Sequence, residues 1–255
     1  MKAIVVGYGS IGQRHVRNLL KFKDMEIIIC TKRIHINLKH KNRIKVFKSL
    51  EESLNEKPDI GFITNETSLH VPTCIKLASR GIDLLIEKPL SNSDKEINKL
   101  LKIVKNKKIV TLMGCNLRFN PFIQKIKELI STNQIGRIIS VQVNCATFLP
   151  DWHPYEDYRS SYAARNELGG GVILTVIHEI DYLYWFFGNV KEIFSISGKF
   201  SDLSLNVEDL SASLLRFKNN IIAELHLDYF QRPNSRSCKI IGTKGVIQWD
   251  EESNL

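Results

Sequence analysis

No run of about 18 or more apolar residues occurs in this 255-residue chain, which argues against a membrane-spanning helix. The most apolar stretch, 172–187, is interrupted by His178, Glu179 and Asp181. The first apolar strand begins almost at Met1, so a signal or transit peptide is not expected and a cytoplasmic location is. Cysteine is scarce and scattered. Cys30, Cys74, Cys115, Cys145 and Cys238 carry neither metal-ligand spacing nor clustering, and five is an odd count. Reduced, mostly buried thiols and no metal site are therefore expected. Internal repeats and low-complexity tracts are also missing.

What is present is ordinary in amount and uneven in placement. Apolar residues make up 43% and charged residues 25%, the balance of a soluble globular protein with one large domain or two modest ones. The net charge of +9 is concentrated where Lys32, Arg33, Lys39, Lys41, Arg43, Lys45 and Lys48 crowd one segment. Basic patches attract phosphate backbones. This one lacks interleaved aromatics and has no reading helix or stacking platform beside it, so no nucleic-acid partner is expected. A solvated lysine-rich face, or attraction of an anionic cofactor or phosphorylated substrate, remains.

The first dozen residues are the most informative. An apolar strand, 3–6, runs into Gly7-Tyr8-Gly9-Ser10-Ile11-Gly12 and then into a helical pattern over 11–22. Strand, tight turn and helix N-terminus in that order form a dinucleotide pyrophosphate site. Gly7 permits the turn, Gly9 lets the backbone approach the phosphates, and Gly12 lets helix and strand pack closely. The unpaired amides and the positive end of the helix dipole then face the phosphate charge.

Beyond it, candidate strands at 26–30, 45–47, 60–63, 83–86 and 109–114 alternate with helical patterns at 50–55, 69–80 and 93–106. That alternation predicts a parallel sheet with crossover helices. Ser49 with Glu52, and Ser93 with Glu96, read as capping boxes. After about Arg118 the grammar changes. A helix follows Pro121, then an alternating stretch at 136–148, an irregular loop at 149–168, and one helix from about 170 to 187. Alternating runs at 193–200, 209–217, 221–230, 237–241 and 246–249, with turns at 218–220 and 243–245, predict a largely antiparallel sheet.

One residue type is missing where it matters. A carboxylate commonly ends the second strand of an NAD site to hold the ribose hydroxyls. Here the strand 26–30 ends in Thr31-Lys32-Arg33. Two cations in that place favour a ribose 2′-phosphate, and hence NADP(H); the alternative is that both point into water. Lys88 follows the strand 83–86, at the carboxyl end where open α/β sheets bind ligands.

The glycine turn, Thr64-Asn65 followed by His70, Glu87-Lys88-Pro89, Arg118-Phe119-Asn120-Pro121, and Gly169-Gly170-Gly171 with His178 and Asp181 occur in this order. Together they resemble the Gfo/Idh/MocA (glucose-fructose oxidoreductase, inositol dehydrogenase, rhizopine catabolism) family over nearly the whole chain. The segment from Asp151 to Tyr162, with the residues around His178, looks closest to members from bacterial surface-sugar pathways. The resemblance implies α/β plus α+β architecture: an N-terminal Rossmann domain with a doubly wound parallel sheet, 1–118, then a mainly antiparallel open-sheet domain, 119–255. It implies an NAD(P)-dependent oxidoreductase that transfers a hydride between nicotinamide and a hydroxyl or ketone carbon of a sugar or nucleotide-sugar. It also implies that Lys88 stands beside the nicotinamide, before a Lys88–Pro89 bond that is often cis, and that His178 is the general acid/base. Gly7 to Gly12, Thr31, Lys32, Arg33, Thr64, Asn65, His70, Glu87, Lys88 and Arg118 are expected along the cofactor. Asn116, Trp152, Arg159, Tyr162, His178 and Asp181 are expected near substrate.

Bottom-up chemistry is compatible with these roles. A histidine or lysine of tuned pKa manages the proton while the cofactor carries the hydride. The loop 151–159 mixes aromatics, acids and cations, as sugar pockets do, and Arg159 suits a phosphate or carboxylate; an interdomain or subunit contact is the equal alternative. Two departures stand out. Leu174 occupies the place four before His178 where the family commonly has an aspartate on the same helical face. Asp181 either orients the ring instead or is structural. Relatives also generally run several dozen residues further, so the second sheet is expected to lack closing elements and to expose an edge, through which copies of the chain would associate. A cofactor-binding sensor or subunit without catalysis is the alternative function.

Overall fold

The computed structural model describes residues 1–34, 41–154 and 156–251. Two compact bodies divide between Gly114 and Cys115. The turn carrying Arg118, assigned above to the first domain, thus opens the second body.

The first body runs β1 (Lys2–Val6), α1 (Ser10–Leu19), β2 (Glu26–Cys30), β3 (Ile44–Phe47), α2 (Leu50–Asn55), β4 (Ile60–Ile63), α3 (His70–Ala78), β5 (Asp83–Ile86), α4 (Ile97–Lys107) and β6 (Thr111–Met113). All six strands are parallel, in the order β3-β2-β1-β4-β5-β6. Strand alternation sends Ala3 and Val5 of β1 to one face, where Val16 and Leu19 of α1 cover them. Ile4 and Val6 face the other way, onto Leu54, Leu77 and Leu100 of α2, α3 and α4. Helices on both faces explain why β1, β2 and β4 read as continuous apolar runs rather than alternating ones. Gly61 lets α3 lie close on β4, because a Cβ there would collide with Leu77.

Local details depart from expectation. Ser49 does cap α2 in position, but its side chain makes no capping bond. Ser93 caps nothing: α4 starts at Ile97 after Glu96 in a left-handed conformation, and the Ser93 hydroxyl accepts from the Lys95 amide instead. The basic segment is partly spent internally. Arg43 donates to the carbonyls of Leu20, Phe22 and Lys23 beyond α1, and Lys45 pairs with Glu56 at 2.8 Å. Lys39 lies outside the described residues.

The second body runs α5 (Pro121–Ser131), β7 (Ile138–Phe148), α6 (Val172–Thr175), α7 (His178–Phe187), β8 (Val190–Gly198), β9 (Leu210–Phe217), β10 (Ile222–Asp228), β11 (Phe230–Gly242) and β12 (Val246–Asp250). Its sheet, β12-β11-β7-β10-β9-β8, is antiparallel except where β10 runs parallel to β7. Val143, Ala223, Leu225, Ile240 and Trp249 on its inner face join Ile123 and Ile126 of α5 and Tyr182 and Phe186 of α7 in one core. The single helix expected over 170–187 is broken: α6 stops at Thr175, and α7 begins at His178. The apolar pattern continues across the break, which is why periodicity missed it.

Inside this core Glu179 is fully buried, and Arg236 of β11 donates to it at 2.7 Å. Removing one member of a buried pair strands the other charge, which costs more than replacing both. Arg236→Met is expected to destabilise the protein by about 3–5 kcal/mol, read by guanidinium unfolding, with most of the loss recovered in the Glu179→Leu/Arg236→Met double variant.

Candidate functional site

In the first body the ends of β1, β4 and β5 stand level, since Val6 pairs with Ile63 and Ile63 with Ile86. The segments that follow these strands therefore share one carboxyl edge. Gly7, at φ +95°, takes a backbone conformation that favours glycine, and a Cβ there would stand 2.5 Å from the Asn65 nitrogen. A Cβ on Gly12 would collide with the Gly7 carbonyl oxygen. Thr64 ties the strand ends together, its hydroxyl donating to the carbonyls of Val6 at 3.0 Å and Gly7 at 2.8 Å.

Gly9 differs. Its φ is −74°, nothing lies within 4 Å of its absent Cβ, and as the N-cap of α1 it has no side chain with which to bond the first-turn amides of Ser10, Ile11 and Gly12. Asn65 adds a buried carbonyl oxygen, Oδ1, without a partner, while its amide donates to Thr73. The helix N-terminus fits a dinucleotide pyrophosphate, with the amides around Gly9 holding phosphate oxygens, whereas Asn65 Oδ1, an acceptor, suits a donor such as a hydroxyl or amide of the dinucleotide. Tyr8 and Ile11 flank the turn half-buried, and Ser10 is exposed.

Thr31 lies beside this turn, because the Gly7 amide donates to the Cys30 carbonyl; its own hydroxyl accepts from the Arg33 amide at 3.2 Å. Lys32 and Arg33 are exposed, and neither has a carboxylate partner among the described residues.

The Glu87-Lys88-Pro89 turn contains a cis Lys88–Pro89 bond and is held by two histidines. His15 Nε2 lies 2.7 Å from Glu87 Oε1. Burial pushes the Glu87 carboxyl up, but the His15 hydrogen bond and the Lys88 charge draw it below its ordinary value. His70 is almost wholly buried, and both its ring nitrogens face backbone carbonyls: Nδ1 to Pro89 at 2.8 Å and Nε2 to Asn65 at 3.0 Å. The ring spans two loops of its own chain, those of Asn65 and Pro89. Sequence reasoning passed over His15, yet a signal existed: on α1 it shares a face with Gly12, Val16 and Leu19.

The second body collects the other candidates. The 3₁₀ turn Asn116–Phe119 leaves Asn116 exposed and sets Arg118 against Asp181 of α7 through two bonds of 2.8 and 2.7 Å. That pairing raises the Arg118 pKa further. Both Asp181 oxygens are committed to Arg118, which supports the structural alternative for this acid. Asn120 is spent as the N-cap of α5, accepting from the amides of Phe122 and Ile123. His178 is the first residue of α7 and half-buried. The break before it puts Leu174 on α6 and His178 at the start of α7, not on one continuous helix.

The glycine triplet has a local cause. The Glu208 carboxylate occupies the space a Cβ on Gly171 would fill and accepts from the Ile173 amide at 3.2 Å, capping α6. Tyr229 donates to the Gly171 carbonyl at 3.0 Å. Neither partner was legible, since both lie far along the chain, Glu208 just before β9 and Tyr229 between β10 and β11. In the loop, Trp152 donates to Thr147 at 2.6 Å and meets Tyr229 edge-on, whereas Arg159 is exposed and folds back onto Asp157. Tyr162 is half-buried, and Tyr155 lies outside the described residues.

Two outcomes follow from these contacts. Gly9→Ala is expected to keep stability within about 0.5 kcal/mol while weakening dinucleotide binding by titration, whereas Gly7→Ala loses both. For His70, burial lowers the pKa and outweighs the opposing pull of the Pro89 and Asn65 carbonyls and of Glu87 and Glu66. The unfolded chain then takes up a proton that the fold resists, so stability from this group is present above about pH 6.5 and falls as pH drops toward the folded value. Urea midpoints between pH 5 and 7.5 should fall less steeply in His70→Asn than in the wild type.

Comparison with known proteins matches this geometry. A model described as an oxidoreductase family with an NAD-binding Rossmann fold matches residues 1–115, and the GFO/IDH/MocA C-terminal domain matches residues 123–248. Levoglucosan dehydrogenase of Pseudarthrobacter phenanthrenivorans is 27% identical over 78% of this chain and 58% of its own. Myo-inositol 2-dehydrogenase of Thermotoga maritima is 24% identical over 97% of this chain and 74% of its own. The WlbA dehydrogenase of Bordetella pertussis, solved in complex with NADH and UDP-GlcNAcA, shares the fold with a TM-score of 0.84 at 21% identity, over 98% of this chain and 73% of that one. The chain spans 32% and 58% of the length of the first two curated relatives it matches. With both halves matched in order, the chain belongs to the Gfo/Idh/MocA family of oxidoreductases, and its first body is an NAD-binding Rossmann domain.

Proposed function

We propose that this protein interconverts a hydroxyl and a ketone at one carbon of a sugar or nucleotide-linked sugar. The reading rests on one observation above all: the open glycine turn and the Glu87-Lys88-Pro89 turn share the carboxyl edge of one parallel sheet. When bound, the nicotinamide cofactor supplies or accepts the hydride. Lys88 donates a hydrogen bond to the reacting oxygen and steadies its charge. His178 takes or returns the proton at a ring nitrogen. Lys32 and Arg33, exposed and without ion-pair partners among the described residues, suit the 2′-phosphate of NADP(H). The relatives named for levoglucosan and myo-inositol, and the neighbour holding UDP-GlcNAcA, support a sugar or polyol substrate, and a role in surface-glycan synthesis is consistent with the last.

The outer face of the second sheet, where Phe194, Ile196 and Leu214 are exposed, suits association with a second copy, which light scattering would report. The rival reading, a cofactor-binding sensor, draws on Leu174, which stands where the resemblance leads one to expect a carboxylate near His178.

Incubation with NAD+ or NADP+ and levoglucosan, myo-inositol or UDP-GlcNAcA, followed by nicotinamide absorbance, tests the reading. Turnover is expected, falling about 10²–10⁴-fold in Lys88→Met and in His178→Asn, with dinucleotide binding retained in His178→Asn. Arg33→Ala should lower the preference for NADPH over NADH. Tight cofactor binding without turnover on any substrate favours the sensor.

A further inference from the structure

The three residues of the Glu87-Lys88-Pro89 turn are gripped at both ends and from both faces of the sheet. Leu84 and Ile86 of β5 pack on the face covered by α3, while Leu85 faces the side covered by α1. The next residue, Glu87, continues the alternation onto the α1 side, where His15 meets it at 2.7 Å. The His15 ring packs against Phe62, with centroids 5.2 Å apart. Behind the carboxylate lies bare backbone: a Cβ on Gly114 would stand 2.9 Å from Glu87 Oε2. Glu87 is thus clasped between a histidine and a glycine.

At the other end, the Pro89 carbonyl lies 2.8 Å from Nδ1 of His70, which starts α3 on the opposite face. The same ring reaches the Asn65 carbonyl, and Asn65 packs on Gly7. One imidazole therefore couples the lysine turn to the segment against which the glycine turn is built. The His15 contact with Glu87 and the His70 contact with Pro89 are polar and directed at the residues immediately before and after Lys88.

We propose that His15 and His70 are positioning residues for Lys88, fixing the lysine amine relative to the dinucleotide turn by holding Glu87 and Pro89 from opposite faces of the sheet. The inference rests on the role proposed above for Lys88, and it assigns both histidines an indirect part: neither touches the reacting atoms. A displacement of about 1 Å at a reacting group costs on the order of a hundredfold in rate. Loss of the His15 clamp is accordingly expected to reduce turnover while leaving dinucleotide affinity within about twofold of the wild type, whereas loss of His70, which also holds Asn65 beside the glycine turn, lowers both.

The test uses the full chain with its lysines reductively methylated with ¹³C-formaldehyde and loaded with NAD+. The Lys88 dimethylamine resonance is assigned by its absence in Lys88→Met. In the wild type it should lie apart from the envelope of surface lysines. In His15→Leu and in His70→Leu it should move into that envelope, and turnover by the unmethylated variants on whichever sugar of the panel the wild type turns over should fall about ten- to hundredfold. His15→Gln and His70→Asn, which each keep a polar group able to donate, should restore the separate resonance and most of the rate.

Should the buried His70→Leu variant fail to fold, the partly exposed His15 position reads the same resonance alone. A Lys88 signal that is unmoved in the folded leucine variants, or already merged with the envelope in the wild type, overturns the clamp. Failure of the underlying chemistry looks different: Lys88→Met would then turn over like the wild type, whatever the histidine variants do.

Discussion

Val6, Ile63 and Ile86 sit side by side in three neighbouring parallel strands, and the register that aligns them governs the first body. Because the strands end level, the segments leaving them meet instead of passing at different heights. Gly7 can press on Asn65, Thr64 can reach back to Val6, and His70 can touch both Asn65 and Pro89 only under that condition. A slip by one residue would also reverse which side chains face α1 and which face α3. The dinucleotide cradle and the lysine turn are therefore products of sheet pairing before they are products of loop sequence.

Much of this was legible from the chain alone, for a physical reason. Glycines at 7 and 12 mark places where backbone passes so near backbone that a methyl group would not fit, and such places announce themselves by composition. Apolar runs of four or five residues likewise give the parallel strands. The site pairs were less legible. Arg118 and Asp181 lie far apart in sequence, as do Glu179 and Arg236, and nothing local distinguishes an acid that will meet a cation from one that will meet water. Periodicity also misled at 170–187, where apolar residues recur through a break that the backbone makes after Thr175. That break mattered, since an inference about Leu174 depended on the helix being continuous.

The second body divides its labour between the two faces of one sheet. Inward, Leu225, Ile240 and Trp249 meet α5 and α7 in a continuous apolar layer. Within that layer Glu179 and Arg236 form a charged tie at the start of α7, next to His178. Burial opposes the charge on Arg236, and the neighbouring Glu179 carboxylate overcomes it. Such a tie restricts how α7 can rotate, because turning the helix would drag a carboxylate away from its cation inside a medium that solvates neither. Outward, the sheet grades from Phe194, Ile196 and Leu214 at one edge to Lys239 and Gln248 at the other.

Gly61 illustrates how small a feature can matter at a distance. The contact with Leu77 seats the C-terminal part of α3 directly on β4, while His70 forms the other end of the same helix. At nine residues the helix is about 13 Å long and stiff on that scale. A methyl group at residue 61 would meet the Cδ2 end of Leu77 first, so that side chain has to turn aside before the helix itself shifts, and only the remaining displacement would be carried along the rod to the imidazole.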